Sequence, residues 1–366
     1  MVQLDALRAF AAAGVMYFHF LAHGDVGGLP WGGWGVQLFF CLSGFLITGI
    51  LLKCRESAKV DGGYGWQLRQ FYIRRTLRII PLFYFVILAT ALANVQPVRE
   101  TIWWHLSYTS NFYFSLRGDW NGPVSHFWSL AVEEQFYLFW PFLILFVPEK
   151  HLLRAIVGAV LVAPLFQIAG HYAGLQPITI TVSMIGSLGF LGTGALLAYY
   201  RFKHPEHFAA LARRKSYLLA GAGLFTIVLG AALLEIKGTI PGVVLGMITA
   251  LFFGWLVHKT AIGFRGIPGK LMQAKPLLYC GKISYGIYVY HLFMPWLTGR
   301  IFTKLHIPYP EHHGVQFLLL TSATIVVATC SWYFFESPIN NLKRYFEYRA
   351  TAPRKSPVHA AAPQED

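Results

Sequence analysis

The amino-acid sequence predicts an all-α integral membrane protein, a bundle of about ten transmembrane helices. Three observations predict this fold: 55% of the 366 residues are hydrophobic, only 13% are charged, and long apolar runs recur along the chain. A soluble globular protein carries about 25% charged residues. The composition therefore disfavours a soluble enzyme, a nucleic-acid-binding protein and a disordered scaffold, even though the net charge is +14.

A helix that crosses the hydrocarbon core needs about 20 mostly apolar residues. Ten segments are predicted to do so. They cover residues 6–22, 34–52, 76–95, 126–147, 152–168, 181–200, 216–235, 239–259, 277–298 and 315–335. Residues 1–346 thus form one predicted transmembrane domain, and the Ala- and Pro-rich segment 347–366 is predicted to be a disordered cytoplasmic tail.

An even number of spans places both termini on the same side of the membrane. With that arrangement, 24 of the 30 lysines and arginines fall on the side of the termini and five on the other side. Cytoplasmic loops carry an excess of lysine and arginine. We therefore expect both termini in the cytoplasm, as in a bacterial inner-membrane protein.

Ionisable residues within a membrane are costly, so each is a candidate functional residue. On the first predicted helix, Arg8 and His19 are 11 residues apart and share one face, about 16 Å from each other along the axis. Arg8 is expected at the cytoplasmic mouth and His19 near the outer end. Alternatively, Arg8 snorkels as a topology determinant and His19 is a hydrogen-bonded packing residue.

Three arginines form a cluster on the third predicted helix. Arg74 stands four residues and Arg75 three residues before Arg78, so all three are predicted to share one helical face at the inner boundary. Arginine forks suit phosphate oxygens. Spacing alone leaves a second interpretation open and favours it: these residues bind the headgroups of membrane lipids.

Two adjacent carboxylates, Glu133 and Glu134, begin an otherwise apolar helix on the outer side. They point about 100° apart, so we expect only one of them, with preference for Glu134, to face the bundle interior. A favourable interaction with the helix dipole is the alternative. On a later helix, Ser284, Tyr288 and His291 also share a face, and His291 is either a site residue or a satisfied core histidine.

These groups converge on one geometry. His19, the two glutamates and His291 are predicted in the outer half of the bundle, whereas Arg8 and the arginine cluster are predicted at the inner mouth. The pattern indicates a conduit with phosphate-binding charge at its cytoplasmic end and acid or base groups deeper inside. Four widely separated cysteines without paired spacing predict no metal site.

Six segments, spread over almost the whole chain, resemble membrane acyltransferase family 3, which includes O-acetylases of surface polysaccharides and lipopolysaccharide. They are LDALRAFAAAGVMYFHF (4–20), FFCLSGFLIT (39–48), FYIRRTLRIIP (71–81), WSLAVEEQFYLFWP (128–141), ISYGIYVYHLF (283–293) and FFESP (334–338). The resemblance implies transfer of an acyl group, usually acetyl from acetyl-CoA, to a carbohydrate hydroxyl. It also implies that His19 is the essential histidine, that Arg8 is its partner, and that Ser43 and Gly44 form a turn.

The predicted chemistry fits these residues. A sugar hydroxyl that attacks a thioester needs a base, and general-base help from a histidine contributes about 10²–10⁴ in rate. The arginines would hold the phosphates of acetyl-CoA, with Ser43 as a candidate oxyanion-hole donor. The alternative function is a transporter or flippase of a lipid-linked sugar, since buried His and Glu also suit proton-coupled transport.

Overall fold

The structure of the protein is a computed structural model, which describes residues 1–21, 29–120, 122–236 and 238–348. Within these ranges the chain forms eighteen α-helices and no strand. The helices are α1 Gln3–Phe20, α2 Trp31–Asp61, α3 Tyr64–Leu92, α4 Val98–Leu106, α5 Ser110–Arg117, α6 Phe127–Phe146, α7 Glu149–Tyr172, α8 Pro177–Val182, α9 Met184–Lys203, α10 Pro205–Leu211, α11 Lys215–Leu233, α12 Thr239–Ile262, α13 Gly266–Leu271, α14 Lys275–Lys282, α15 Ser284–Tyr290, α16 Met294–Lys304, α17 His313–Ser331 and α18 Ser337–Asn341. The predicted all-α fold is confirmed.

Eight helical stretches of the described chain are long and apolar enough to cross a membrane. They are Trp31–Val60, Tyr64–Leu92, Phe127–Phe146, Glu149–Tyr172, Pro177–Lys203, Lys215–Leu233, Thr239–Ile262 and His313–Tyr345. The chain is therefore an integral multi-pass membrane protein, as predicted. The number of ten spans and the cytoplasmic position of both termini stay predictions.

The two further spans predicted from sequence have different outcomes. Residues 6–20 of segment 6–22 belong to α1, and residue 22 lies outside the described residues. α1 packs against α2 and α14 and carries Asp5, Arg8 and His19 within 18 residues. Segment 277–298 is not one helix but the succession of α14, α15, a 3-10 turn at His291–Phe293 and α16. Pro295 lies in the first turn of α16, where a proline needs no helical N–H partner, so the helix restarts there.

Close approach of α2 and α9 forms the centre of the bundle. A Cβ atom at Gly44 of α2 would collide with the carbonyl oxygen of Leu191, and one at Gly194 of α9 would collide with that of Cys41. Small residues permit such contacts between membrane helices. The sequence-based expectation of a turn at Ser43 and Gly44 is therefore wrong, because both residues lie inside α2 and the glycine serves helix packing.

The predicted tail over 347–366 lies outside the described residues, apart from its first two positions. Of these, Tyr348 packs under the guanidinium group of Arg74, whose carbon lies 5.2 Å from the ring centroid. Arg74 also donates hydrogen bonds to the carbonyl oxygens of Lys343 (2.8 Å) and Phe346 (2.9 Å). The described end of the chain is thus attached to α3.

Candidate active site

A narrow cavity of ≈140 Å³ lies among α1, α2, α3, α6 and α15. Eight of the eleven candidate site residues line it: Arg8, Ser43, Arg75, Arg78, Glu133, Glu134, Ser284 and Tyr288. Residues that sequence reasoning did not select also line it, among them Ser129, Tyr137 and Tyr285. We call this space the central cavity. It brings basic and acidic side chains from distant parts of the sequence together.

Three arginines line the central cavity, namely Arg8 and two members of the predicted cluster, Arg75 and Arg78. Arg8 forms an ion pair with Asp5 at 2.6 Å. The Arg75 guanidinium lies 5.6 Å from the ring centroid of Tyr137, and that of Arg78 lies 5.4 Å from that of Trp332. Arg74 does not line the cavity, because its guanidinium faces the carbonyl groups near the end of the described chain.

Both glutamates of α6 line the central cavity, so the expectation that only one faces the interior is wrong. The Ser43 hydroxyl donates a hydrogen bond to Glu133, and the Tyr137 hydroxyl donates to Ser43 Oγ at 3.1 Å. Glu134 Oε1 is buried and has no hydrogen-bond partner among the described residues. A cavity enclosed by several helices can face a wide arc of one of them, so two residues 100° apart on α6 can both line it. The spacing of residues along α6 does not show how wide this arc is.

Tyr288 forms the boundary between the central cavity and a group of three histidines, His19, His126 and His291. Its hydroxyl lies 2.6 Å from Ser129 Oγ and donates to the carbonyl oxygen of His126 at 3.1 Å. The Tyr288 ring centroid is 5.5 Å from those of His126 and His291. The Ser129 hydroxyl also donates to the carbonyl oxygen of His126, so the histidine group adjoins the cavity through Tyr288 and Ser129.

The three imidazole rings are close neighbours. The ring centroids of His19 and His291 are 5.1 Å apart, and those of His126 and His291 are 4.8 Å apart. His19 forms no hydrogen bond with any residue of the described ranges, so no carboxylate orients it there. The structure thus brings His19 and His291 together and adds His126, but none of the three lines the central cavity. The predicted conduit stays a prediction.

Backbone hydrogen bonds fix the tautomers of the two buried histidines. His291 Nδ1 is 2.7 Å from the carbonyl oxygen of Tyr288, and His126 Nε2 is 3.2 Å from that of Val289, so each of these nitrogens carries the proton. The remaining nitrogens, His291 Nε2 and His126 Nδ1, are buried without a partner in the described chain. Each presents a lone pair that can accept a proton or a hydrogen bond.

The sequence contains signals for some of the site residues that sequence analysis did not select. His126 stands at the entry of the same apolar segment as the glutamates, so it met the rule for ionisable residues near a membrane. Ser129 and Tyr137 stand four residues before and four residues after Glu133, so helical spacing alone places them on its face. No group of three or more His, Cys, Asp or Glu side chains in the described ranges has a geometry that could hold a metal ion.

The fold and the site define a multi-pass helical membrane protein with a polar cavity in its interior. Comparison with known proteins gives its family. Residues 1–336 match the family model of the acyltransferase domain, so the chain belongs to this acyltransferase family. The resemblance noted in the sequence is confirmed.

Curated bacterial relatives support the assignment. The protein named peptidoglycan O-acetyltransferase OatA of Listeria monocytogenes is 29% identical over 94% of this chain and 57% of its own length. O-acetyltransferase OatA of Staphylococcus aureus is 27% identical over 96% of this chain and 59% of its own length. The chain thus spans less than two thirds of either relative. No solved structure matches the chain.

Proposed function

We propose that this protein is a membrane O-acetyltransferase that moves an acetyl group from acetyl-CoA to a hydroxyl of a cell-surface polysaccharide, with a peptidoglycan-type glycan as the first candidate acceptor. The observation that carries the proposal is the central cavity, which joins arginines and carboxylates and adjoins a histidine group. Family membership supports acyl transfer, and the names of the relatives support the acceptor class.

The size of the cavity supports a particular mode of donor binding. Pockets that enclose a whole drug-sized ligand measure about 300–1,000 Å³, whereas the central cavity measures ≈140 Å³. We therefore infer that only the slender acyl-pantetheine arm enters. The phosphates would bind Arg8, Arg75 and Arg78 at the cavity wall, since guanidinium forks match phosphate oxygens. For Arg74 we propose a supporting role, because it holds the end of the described chain against α3.

In the proposed reaction, His19 removes the proton of the acceptor hydroxyl as its oxygen attacks the thioester carbonyl. The C–S bond then breaks and the sulfur of CoA leaves as a thiol after protonation. Glu134, whose Oε1 has no partner, is suited to supply that proton, and Glu133 is held in place by Ser43. We assign Ser43, Ser284, Tyr288 and His291 to positioning of the reacting groups.

A labelled-donor assay tests the function. Purified protein in nanodiscs is mixed with [¹⁴C]acetyl-CoA and a peptidoglycan oligosaccharide, and label in the glycan is measured. We expect transfer that depends on both substrates. Movement of a lipid-linked sugar across liposomes without any acetylation would instead support the transporter alternative.

A further inference from the structure

A second cavity of ≈550 Å³ lies beside the central cavity, and its volume is within the range of ligand-binding pockets. We propose that this outer cavity binds the carbohydrate acceptor as a neutral, uncharged glycan segment. The proposal rests on the proposed function and assigns a place to its second substrate.

The position of the outer cavity supports an acceptor site. Its walls come from α8, from the N-terminal parts of α2, α6, α9 and α12 and from the last turns of α7. It therefore lies at the end of the bundle where α1 ends at Phe20, one residue after His19. A Cβ atom at Gly32, next to the cavity residue Gly33, would stand 2.7 Å from the ring of Phe18, which precedes His19. With the arginine-rich end in the cytoplasm, this cavity faces the outside, where a surface glycan is found.

The two cavities share a wall. Val36 and Phe40 line both of them. Trp128 lines the outer cavity and meets Phe40 edge-to-face at a centroid distance of 6.0 Å, while the next residue, Ser129, lines the central cavity. A glycan in the outer cavity is therefore separated from the proposed donor site by one layer of side chains.

The chemistry of the lining favours a neutral polyhydroxyl ligand. Among the described residues that line the outer cavity, none is Asp, Glu, Lys or Arg. Its polar groups are amides, hydroxyls and one imidazole, contributed by Gln37, Gln167, His171, Thr181, Ser187 and Thr239. Amides and hydroxyls pair with sugar hydroxyls in both donor and acceptor roles. Trp128 adds a flat apolar surface on which a sugar ring can pack.

Gln37 provides an independent sign of a missing partner. Its side chain lines the outer cavity and forms no hydrogen bond with any residue in the described part of the chain, and its Oε1 is buried. A buried polar group without a hydrogen-bond partner destabilises the fold, so a ligand that supplies one is favoured. By contrast, the Thr181 hydroxyl donates to the carbonyl oxygen of Pro177 and the Ser187 hydroxyl to that of Ser183, and both keep lone pairs for a ligand. A bound sugar hydroxyl would satisfy Gln37.

A binding experiment tests the site without a donor. The probe is a β-linked tetramer of N-acetylglucosamine, titrated against full-length protein in nanodiscs, with a tetramer of galacturonic acid as the anionic comparison. We expect the neutral tetramer to bind and the anionic one to bind at least tenfold more weakly. No binding of the neutral tetramer, or equal binding of both, would overturn the proposal.

Two variants locate the binding. A Cβ atom at Gly242, which lines the outer cavity, meets no atom within 4 Å, so Gly242→Leu fits the helix and fills the cavity. Gly223→Leu, at an equally open glycine of α11 that lines neither cavity, is its control. We expect Gly242→Leu and Gln37→Ala to weaken tetramer binding at least fivefold, and Gly223→Leu to leave it unchanged. Unchanged binding in both cavity variants would overturn the location.

Kinetics separate this proposal from the proposed function. In the acetyl-transfer assay, Gln37→Ala should raise the acceptor KM at least fivefold with an unchanged donor KM. Gln316→Ala is the control for the loss of a glutamine side chain, since Gln316 lies outside both cavities. Neutral-tetramer binding at this cavity without any acetyl transfer would contradict the proposed function and leave the glycan site standing. Acetyl transfer with an unchanged acceptor KM in both cavity variants would support the proposed function and overturn the glycan site.

Discussion

The imidazole rings of His19 and His291, from opposite ends of the chain, lie with their centroids 5.1 Å apart. His291 Nδ1 is bonded to the carbonyl oxygen of Tyr288, which leaves His291 Nε2 buried without a partner in the described chain. His19 carries no such backbone bond there. The pair thus combines one histidine of fixed orientation with one that can turn toward a substrate.

We expect His19→Ala to reduce acetyl transfer by about 10²–10⁴, because a general base contributes about that factor. The rate is measured with [¹⁴C]acetyl-CoA on protein whose amount and elution on size exclusion match the wild type. His151→Ala, at an exposed histidine near the start of α7, is the control and should keep full activity. Retention of more than about a tenth of the activity by His19→Ala would contradict its role as the base.

The two partnerless nitrogens can be removed without losing the backbone hydrogen bonds. In His291→Asn the amide N–H replaces Nδ1–H as the donor to Tyr288, and in His126→Gln it replaces Nε2–H as the donor to Val289. We expect both variants to accumulate normally and to lose at least tenfold in turnover. Normal turnover in both would return His126 and His291 to the role of core histidines.

Neutralising the cavity arginines should weaken donor binding. A hydrogen bond to a charged group contributes about 1.5–3 kcal/mol, so Arg75→Ala and Arg78→Ala should each raise the donor KM about tenfold or more. Arg69→Ala, at an exposed arginine on the same helix, is the control. Arg74→Ala should lower the amount of folded protein but leave the donor KM unchanged. A raised acceptor KM with an unchanged donor KM in Arg75→Ala and Arg78→Ala would mean that these arginines bind the acceptor and not the donor.

Both glutamates should matter, since both line the central cavity. We expect Glu133→Gln and Glu134→Gln each to lower turnover at least tenfold, and Ser43→Ala to have a smaller effect, because Glu133 would keep its charge. Glu149→Gln, an exposed carboxylate that pairs with Lys59 and Lys203, is the control. Normal turnover in either Glu133→Gln or Glu134→Gln would mean that only the other glutamate contributes to the reaction.

Some of the site was predictable and some was not, for physical reasons. The cost of charge in a membrane singled out Arg8, Glu133 and Glu134, and all three line the central cavity. Helical periodicity placed Arg74 with its neighbours, yet it cannot show which helix or segment packs against each side. The helix breaks at Ile283, two residues after Gly281, where α14 approaches α1 so closely that a Cβ would collide with the carbonyl oxygen of Asp5. The sequence contains this glycine but does not show the contact that it permits.

The contact between α2 and α9 predicts a stability effect that is separate from catalysis. Gly44→Ala should strongly lower the amount of folded protein, because its Cβ would collide with the Leu191 carbonyl oxygen and push the helices apart. Gly49→Ala, in the same helix, places its Cβ in open space and should stabilise the helix by about 0.5–1 kcal/mol. Thermal unfolding in detergent, followed by tryptophan fluorescence, measures both. Gly44→Ala should lose activity only to the extent that it loses folded protein, since the adjacent Ser43 keeps its hydroxyl. Equal thermal stability of Gly44→Ala and Gly49→Ala would contradict a tight contact between α2 and α9.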